Sequence, residues 1–354
     1  MLTVVSALVV LGVLVFVHEL GHFLVAKRAG VGVTTFSLGF GPRLFGFKKG
    51  ETDYRISLVP LGGFVRMVGE NPSDEVDPAE KDRAFSEKPV SWRFAIVGAG
   101  PVANIVFALL VYYLVLLIWG VPSLSTLVGD VKPESPAALA GILKDDRVLT
   151  INEKPMRYWL DMVDTIQGSG GKPVAVKVKR GQEIITREIQ PEEVEVTDIF
   201  GDKHKIYQVG MRGSGERLSM EVGPLEAIGM AFKRTYLAGE IIAVSVYKII
   251  TSQVSADNIG GPILIAQAAG EAASHGLAPL LDLAGLISVN LAILNLLPIP
   301  ALDGGHLFFF LIEAIRRKPV STVWRERAQQ TGMAILLLLM AFIFYNDIAR
   351  LVTG

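Results

Sequence analysis

His18, Glu19 and His22 form an HExxH pattern, and they stand inside a stretch that otherwise carries no charge. Nothing ionisable at neutral pH lies between Met1 and Val17, and the apolar character resumes over Phe23–Ala26 before ending at Lys27-Arg28. A helix over this stretch is roughly 39 Å long at about 1.5 Å per residue, enough to cross a bilayer core. An ionised carboxylate at its centre costs on the order of 2.5–3.5 kcal/mol, so something must compensate Glu19. Histidines four residues apart share one helical face. That spacing suits two zinc ligands, with the intervening glutamate placed to take a proton from a water on the metal. The competing reading is a chance HExxH, which soluble helices often contain. A metzincin would continue with a third histidine at the position of Arg28, so that version is excluded.

A third ligand comes from far down the chain. In Asn290–His306, Pro298 and Pro300 each remove an N–H and cannot both stay in a regular helix. Backbone opened at membrane depth is tolerated only when buried in protein or lining a wet cavity. Asp303 follows at once, and Gly304-Gly305 removes side-chain bulk beside it, which would let the carboxylate approach another helix. His18, His22 and Asp303 would give zinc three protein ligands and leave one position for water, as in catalytic rather than structural sites. The plainer alternative is that Asp303 caps the helix that follows.

These residues need elements to carry them. The chain has 354 residues, 51% of them hydrophobic, and a mean hydropathy of +0.44, which suits a polytopic membrane protein with a soluble insert. A formal net charge of −1 gives no argument for nucleic acid. The absence of cysteine excludes disulfides, thiolate zinc sites and cysteine nucleophiles. The N-terminus lacks the basic region and cleavage site of a signal peptide, so an uncleaved first span that acts as its own targeting signal is expected.

The expected spans are 1–27 with the HExxH, 94–120, 283–302 running into the Leu-Asp-Gly motif, and 328–346. Eleven Lys and Arg from Lys27 to Arg93, and Arg316, Arg317, Lys318, Arg325 and Arg327 later, place the 28–93 and 303–327 loops in the cytoplasm. Both termini and the region from 120 to 282 then lie outside. Residues 221–282 should hold an amphipathic helix, with Leu225, Ile228, Phe232, Tyr236 and Ile242 on one face, and a connector. Within 28–93, Tyr54–Pro60 has strand character, Phe36–Phe47 has hairpin character, and Asn71–Lys88 reads as a solvated linker. Gly98-Ala99-Gly100 lies inside a span before a proline, which suits close helix packing rather than a nucleotide loop. His204 and His275 fall in loops outside the membrane and are not expected to meet zinc. His306 could orient a ligand or face solvent.

HELGH in the first span and NLLPIPALDGGH in the third resemble the bacterial site-2 proteases, intramembrane zinc metalloproteases, and most closely their RseP-type branch. Gly100-Pro101-Val102-Ala103-Asn104 and Gly260-Gly261-Pro262 match in the family's order. The resemblance covers essentially the whole chain. It implies His18, His22 and Asp303 as zinc ligands, Glu19 as general base, and Asn295 as a contact to the substrate backbone or the developing oxyanion. It also implies a re-entrant β-region on the cytoplasmic side, where an unwound substrate is held as a strand. The implied substrates are single-span membrane proteins, such as a trimmed anti-sigma factor, with remnant signal peptides as a further class. Residues 124–212 read as a small α/β domain resembling a single PDZ module, where some relatives have two. Its ligand would be an extended peptide, and the alternative is a structural spacer. The expected fold is therefore a polytopic α-helical membrane protein of four transmembrane helices, with that β-region and the inserted α/β domain. A non-proteolytic membrane scaffold with a peptide-binding module is the rival function. A metal transporter is disfavoured, because it should show polar residues along several spans and the second and fourth are nearly devoid of them.

Overall fold

The uncharged sequence after Met1 forms one helix, α1 (Leu2–Arg28), in the computed structural model, which describes residues 2–70, 76–197, 203–253 and 260–353. Strands β1 (Val33–Lys49) and β2 (Thr52–Met67) follow, and both bend. The two halves of β1 do not pair with each other, so Phe36–Phe47 is not itself a hairpin. Thr35–Leu38 pair with Asp53–Ile56 on one side and with Gly63–Arg66 on the other, while Arg43–Lys49 pair with the outer side of Thr52–Ser57. Gly39, at φ +87°, allows the bend, and a Cβ there would stand 2.6 Å from the Val59 carbonyl oxygen. The Tyr54–Ser57 stretch is thus flanked on both sides, and the open edges are Arg43–Lys49 and Gly63–Met67. Phe45 and Phe47 are 72% and 63% exposed, so the first edge meets no protein surface. Lys27 Nζ donates to Glu51 at 2.5 Å, and Arg83 pairs with the same carboxylate, tying the β-turn to the end of α1. Within the proposed 71–88 linker, residues 71–75 lie outside the described residues. Pro78–Arg83 and Phe85–Glu87 form short 3-10 turns. Helix α2 (Val90–Trp119) begins four residues before the expected 94.

Residues Leu116–Glu226 form a separate compact unit. Its strands are β3 (Val121–Leu124), β4 (Val128–Val131), β5 (Arg147–Ile151), β6 (Lys154–Pro155), β7 (Val174–Arg180), β8 (Glu183–Ile189), β9 (Glu192–Thr197), β10 (Lys203–Gln208), β11 (Met211–Gly213) and β12 (Arg217–Met220). Helices α3 (Pro136–Leu139) and α4 (Trp159–Gly168) interrupt them. The main sheet has the order β6-β5-β7-β8, and β3, β4 and β9 pair with β12, β11 and β10. Val174, Val176 and Val178 alternate inward on β7 and pack with Val148, Ile151, Met162 and Ile166. Residues 198–202 lie outside the described residues.

Buried Asp146 takes two hydrogen bonds from Arg180, both at 2.8 Å, and one from the Leu143 N–H at 2.9 Å. Burial alone would raise its carboxyl pKa, but these donors outweigh it and hold the group below the usual carboxylate range. A depressed folded pKa stabilises the unit at neutral pH, and that stability is lost as pH falls through the folded value. Asp146→Asn should therefore lower the thermal midpoint of this unit at pH 7 by roughly 5–10 °C and flatten its acid dependence, as followed by circular dichroism.

The chain continues as α5 (Pro224–Ile250), whose small residues Ala227, Ala231, Thr235 and Ala238 are buried while Phe232 and Tyr236 face outward. Arg234 grips Asp282 through two bonds of 2.9 and 3.1 Å and lies over the Tyr112 ring. Residues 254–259 are outside the described residues. The expected connector then contains a further helix, α6 (Pro262–Ser274). Its first turn is capped from a distance: the buried carboxylate of Asp347 accepts the N–H groups of Gly261 at 3.0 Å and Ile263 at 2.9 Å.

Helix α7 (Leu277–Asn295) starts and stops six to seven residues before the expected 283–302 span, because the prolines open the chain over 296–302. The expected 303–327 loop is largely helical: α8 (Asp303–Arg316) begins at the aspartate itself, and α9 (Thr322–Thr353) starts six residues before 328. A Cβ on Gly304 would lie 2.2 Å from the Leu297 carbonyl oxygen, and one on Gly305 would lie 2.4 Å from that of Ile299. The paired glycines therefore let α8 tuck under its own preceding turn, rather than clearing space for another helix. Among the described residues, four helices, α1, α2, α7 and α9, are long and apolar enough to cross a membrane.

Candidate active site

Helix periodicity sets His18 and His22 on one face of α1, and the α7–α8 turn brings Asp303 to them. One ligand atom from each of these three residues lies within 4.8 Å of the others. His18 Nε2 is 3.1 Å from Asp303 Oδ2, His22 Nε2 is 3.6 Å from it, and the two Nε2 atoms are 3.2 Å apart. Asp303 is the first residue of α8 and Leu302 precedes it as the cap position, with no side-chain capping bond.

Protonation can be read from the far side of each ring. His22 Nδ1 lies 2.8 Å from the Ile96 carbonyl oxygen, which can only accept, so Nδ1 carries the hydrogen and Nε2 presents a lone pair. His18 Nδ1 lies 3.2 Å from the side-chain amide of Asn104, whose Oδ1 is buried without a partner. With that amide turned over, His18 Nδ1–H donates to Oδ1 and Nε2 presents a lone pair, as a metal ligand requires. Each Nε2 then faces Asp303 Oδ2, itself buried and without a hydrogen-bond donor. Three acceptors converge with no proton between them. A divalent cation fits this donor set, and nitrogen and carboxylate donors with hydrogen bonds behind the rings are what zinc takes.

Neighbouring residues shape the space. A Cβ on Gly100 would stand 2.3 Å from His22 Nε2 and 2.8 Å from His18 Cε1. A Cβ on Gly21 would stand 2.3 Å from the Ala99 carbonyl oxygen, so α1 and α2 approach backbone to backbone here. Glu19 lies beside Gly63 of β2, whose added Cβ would approach Glu19 Cγ at 3.1 Å. The open Gly63–Met67 edge therefore runs along the site.

Two cavities meet at His18, Glu19, Asp303 and His306. One of about 360 Å³ is lined by Val15, Phe40, Gly63, Leu291 and Asn295, and the other, of about 200 Å³, by His22, Phe64, Met67 and Arg325. Asn295, the last residue of α7, thus shares a cavity with Glu19 and Asp303. His306 does not simply face solvent: it walls both cavities, with Nε2 3.4 Å from the Gln329 amide. His204 lies on β10 rather than in a loop, and His275 closes α6. Neither joins the cluster. Gly100 was legible only as a packing glycine, and Arg325 only as a topogenic charge. Asn104 carried a clearer signal, as the sole amide in an otherwise apolar span.

An HExxH helix facing an aspartate, within four apolar spans, is the arrangement of a membrane-embedded metallopeptidase. The model of peptidase family M50 matches residues 6–339. The chain belongs to that family. It is 36% identical, over 99% of its length and 96% of the relative's, to a protein of Agrobacterium fabrum that carries a zinc metalloprotease name. It is 33% identical to the zinc metalloprotease RasP of Geobacillus kaustophilus over 98% of both chains. To the regulator of sigma-W protease RasP of Bacillus subtilis it is 32% identical over 99% of both. It is an intramembrane zinc metalloprotease and a multi-pass protein of the bacterial cytoplasmic membrane.

Proposed function

We propose that His18, His22 and Asp303 hold the zinc, and that Glu19 is the general base of peptide-bond hydrolysis in or near transmembrane segments. The convergence of three proton-free acceptors supports this. When bound, zinc supplies Lewis-acid chemistry that acidifies water and polarises a carbonyl. Glu19 takes the proton from the attacking water and passes it to the leaving amine. The Asn295 amide donates to the carbonyl oxygen of the scissile bond as negative charge grows there. The open edge of β2 holds the unwound substrate by main-chain hydrogen bonds, and it reaches the site at Gly63.

The name of the Bacillus subtilis relative supports regulated intramembrane proteolysis, with single-span substrates of the anti-sigma type. The positive charge of the 28–93 and 303–327 segments supports termini and inserted unit on the external side. That unit is PDZ-like in this reading. Its β10 is bonded along one edge only, and a cavity of about 190 Å³ lies between Trp159, Met162 and Ile166 of α4 and residues 206–211. An extended peptide would enter there as an added strand, and the unit would reject substrates with bulky external domains.

One reconstituted cleavage assay, scored beside zinc content, tests the reading. His22→Ala and Asp303→Asn should lose both metal and cleavage. Val65→Pro should keep the metal and lose most cleavage, because it removes an outward N–H that meets the Glu19 carboxylate at the strand edge as well as a donor for the substrate strand. A flexible linker in place of residues 124–212 should keep the metal and admit a substrate with its external domain attached. Normal zinc content in both ligand variants would sink the assignment, and full activity of Val65→Pro would make the β-region a connector.

A further inference from the structure

One cation in the wall of the catalytic cavity has no use in the chemistry above. Arg325 lies in the first turn of α9. The cavity that holds His22 and Met67 shares Glu70, Phe85 and Arg325 with a further space of about 380 Å³, lined by Arg93, Glu313 and Ser321. Arg325 therefore stands at a neck between the acceptor cluster and a second opening. It is the only Lys or Arg lining the catalytic cavity among the described residues.

Its pairing is as unusual as its place. The Nε atom is buried without a hydrogen-bond partner, and no described carboxylate lies within ion-pair distance of the guanidinium. Nearby Arg93 is the contrast, since its Nη atoms meet Glu313 at 3.1 and 2.6 Å and that charge is neutralised. A half-buried guanidinium has lost much of its hydration and gains most from an anion that can dock on its planar fork. Peptide hydrolysis makes such an anion in every turnover. The C–N bond breaks and a C–O bond forms, so the acyl fragment ends in a carboxylate while the amine fragment keeps the transferred proton. That carboxylate forms beside Glu19, in the cavity whose wall includes Arg325.

We propose that Arg325 is a carboxylate-binding residue, which receives the acyl fragment through its new C-terminus or an acidic side chain at the neck between the two cavities. This rests on the reading of Glu19 and Asp303 as the centre of hydrolysis.

The test is binding to full-length, zinc-loaded Glu19→Gln protein in detergent. The probe is a labelled Ala/Leu decapeptide in three forms: free acid, C-terminal amide, and amide with a penultimate Glu. The free acid should bind about ten- to a hundredfold more tightly than the plain amide, as a charge-assisted contact to arginine gives. Arg325→Gln should erase that preference, Arg325→Lys should restore part of it, and Arg327→Gln, an exposed neighbour, should leave it intact. Tight binding of the Glu-containing amide, lost in Arg325→Gln, would name the side chain as the source. Equal weakening of all three peptides by Arg325→Gln, or a preference unchanged by it, would overturn the proposal. Cleavage retained by Glu19→Gln would instead refute the underlying reading and leave the binding comparison standing.

Discussion

Glu19→Gln protein should bind zinc at the wild-type level and cleave a membrane substrate about a thousandfold more slowly or worse. The amide fills the same volume beside Gly63 but cannot accept a proton, and a positioned base contributes roughly 10²–10⁴ to such a rate. The metal should stay because Glu19 is outside the converging set of His18, His22 and Asp303. Measuring zinc by mass spectrometry and cleavage on the same preparation separates the two effects. A variant that loses both would make Glu19 a ligand, and one that keeps both would remove it from the chemistry.

Gly100→Ala should be as damaging with a smaller chemical change. The new methyl would stand 2.3 Å from His22 Nε2 and 2.6 Å from His22 Cε1, where ordinary contact begins at 3.4 Å. The ring must move by about 1 Å, and displacements of that size cost roughly a hundredfold in well-ordered sites. His22 cannot retreat cheaply, because its Nδ1–H is committed to the Ile96 carbonyl on α2, the helix that carries Gly100. Zinc content should fall along with cleavage, whereas Gly98→Ala, which meets nothing closer than Leu307 Cδ2 at 3.9 Å, should be nearly silent. Full zinc occupancy in Gly100→Ala would mean that the helices shift to absorb the methyl.

What could be read from the sequence follows the range of the forces involved. Four-residue spacing in a charge-free run named His18, Glu19 and His22, since local periodicity fixes which side chains share a face. Asp303 was legible for the same local reason, as two prolines must open the backbone before it. Residues 303–327 were read as a loop because Arg316, Arg317, Lys318, Arg325 and Arg327 mark a cytoplasmic connection, and the paired glycines are poor helix formers. In the fold, those glycines meet the Leu297 and Ile299 carbonyls, and packing overrides their poor helix propensity. Helix α6 was read as connector, because its cap comes from Asp347, 86 residues from Gly261 and 84 from Ile263 along the chain. Strand character was read only in Tyr54–Pro60 and Phe36–Phe47, and the Gly63–Met67 edge beside Glu19 was missed, since pairing along both edges of Tyr54–Ser57 is a long-range fact with no local signature.

The two imidazoles belong to the first helix and the carboxylate to the eighth, with the inserted unit between them in the chain. A cation joining them acts as a clasp on a very long loop, and cross-links of that kind gain the most from chain entropy. Assembly then has a natural order. The polypeptide can thread into the bilayer and finish synthesis through α8 before any hydrolytic centre exists. A nascent chain is thereby harmless to its membrane neighbours until its last helices arrive, and metal supply becomes a check on completed folding.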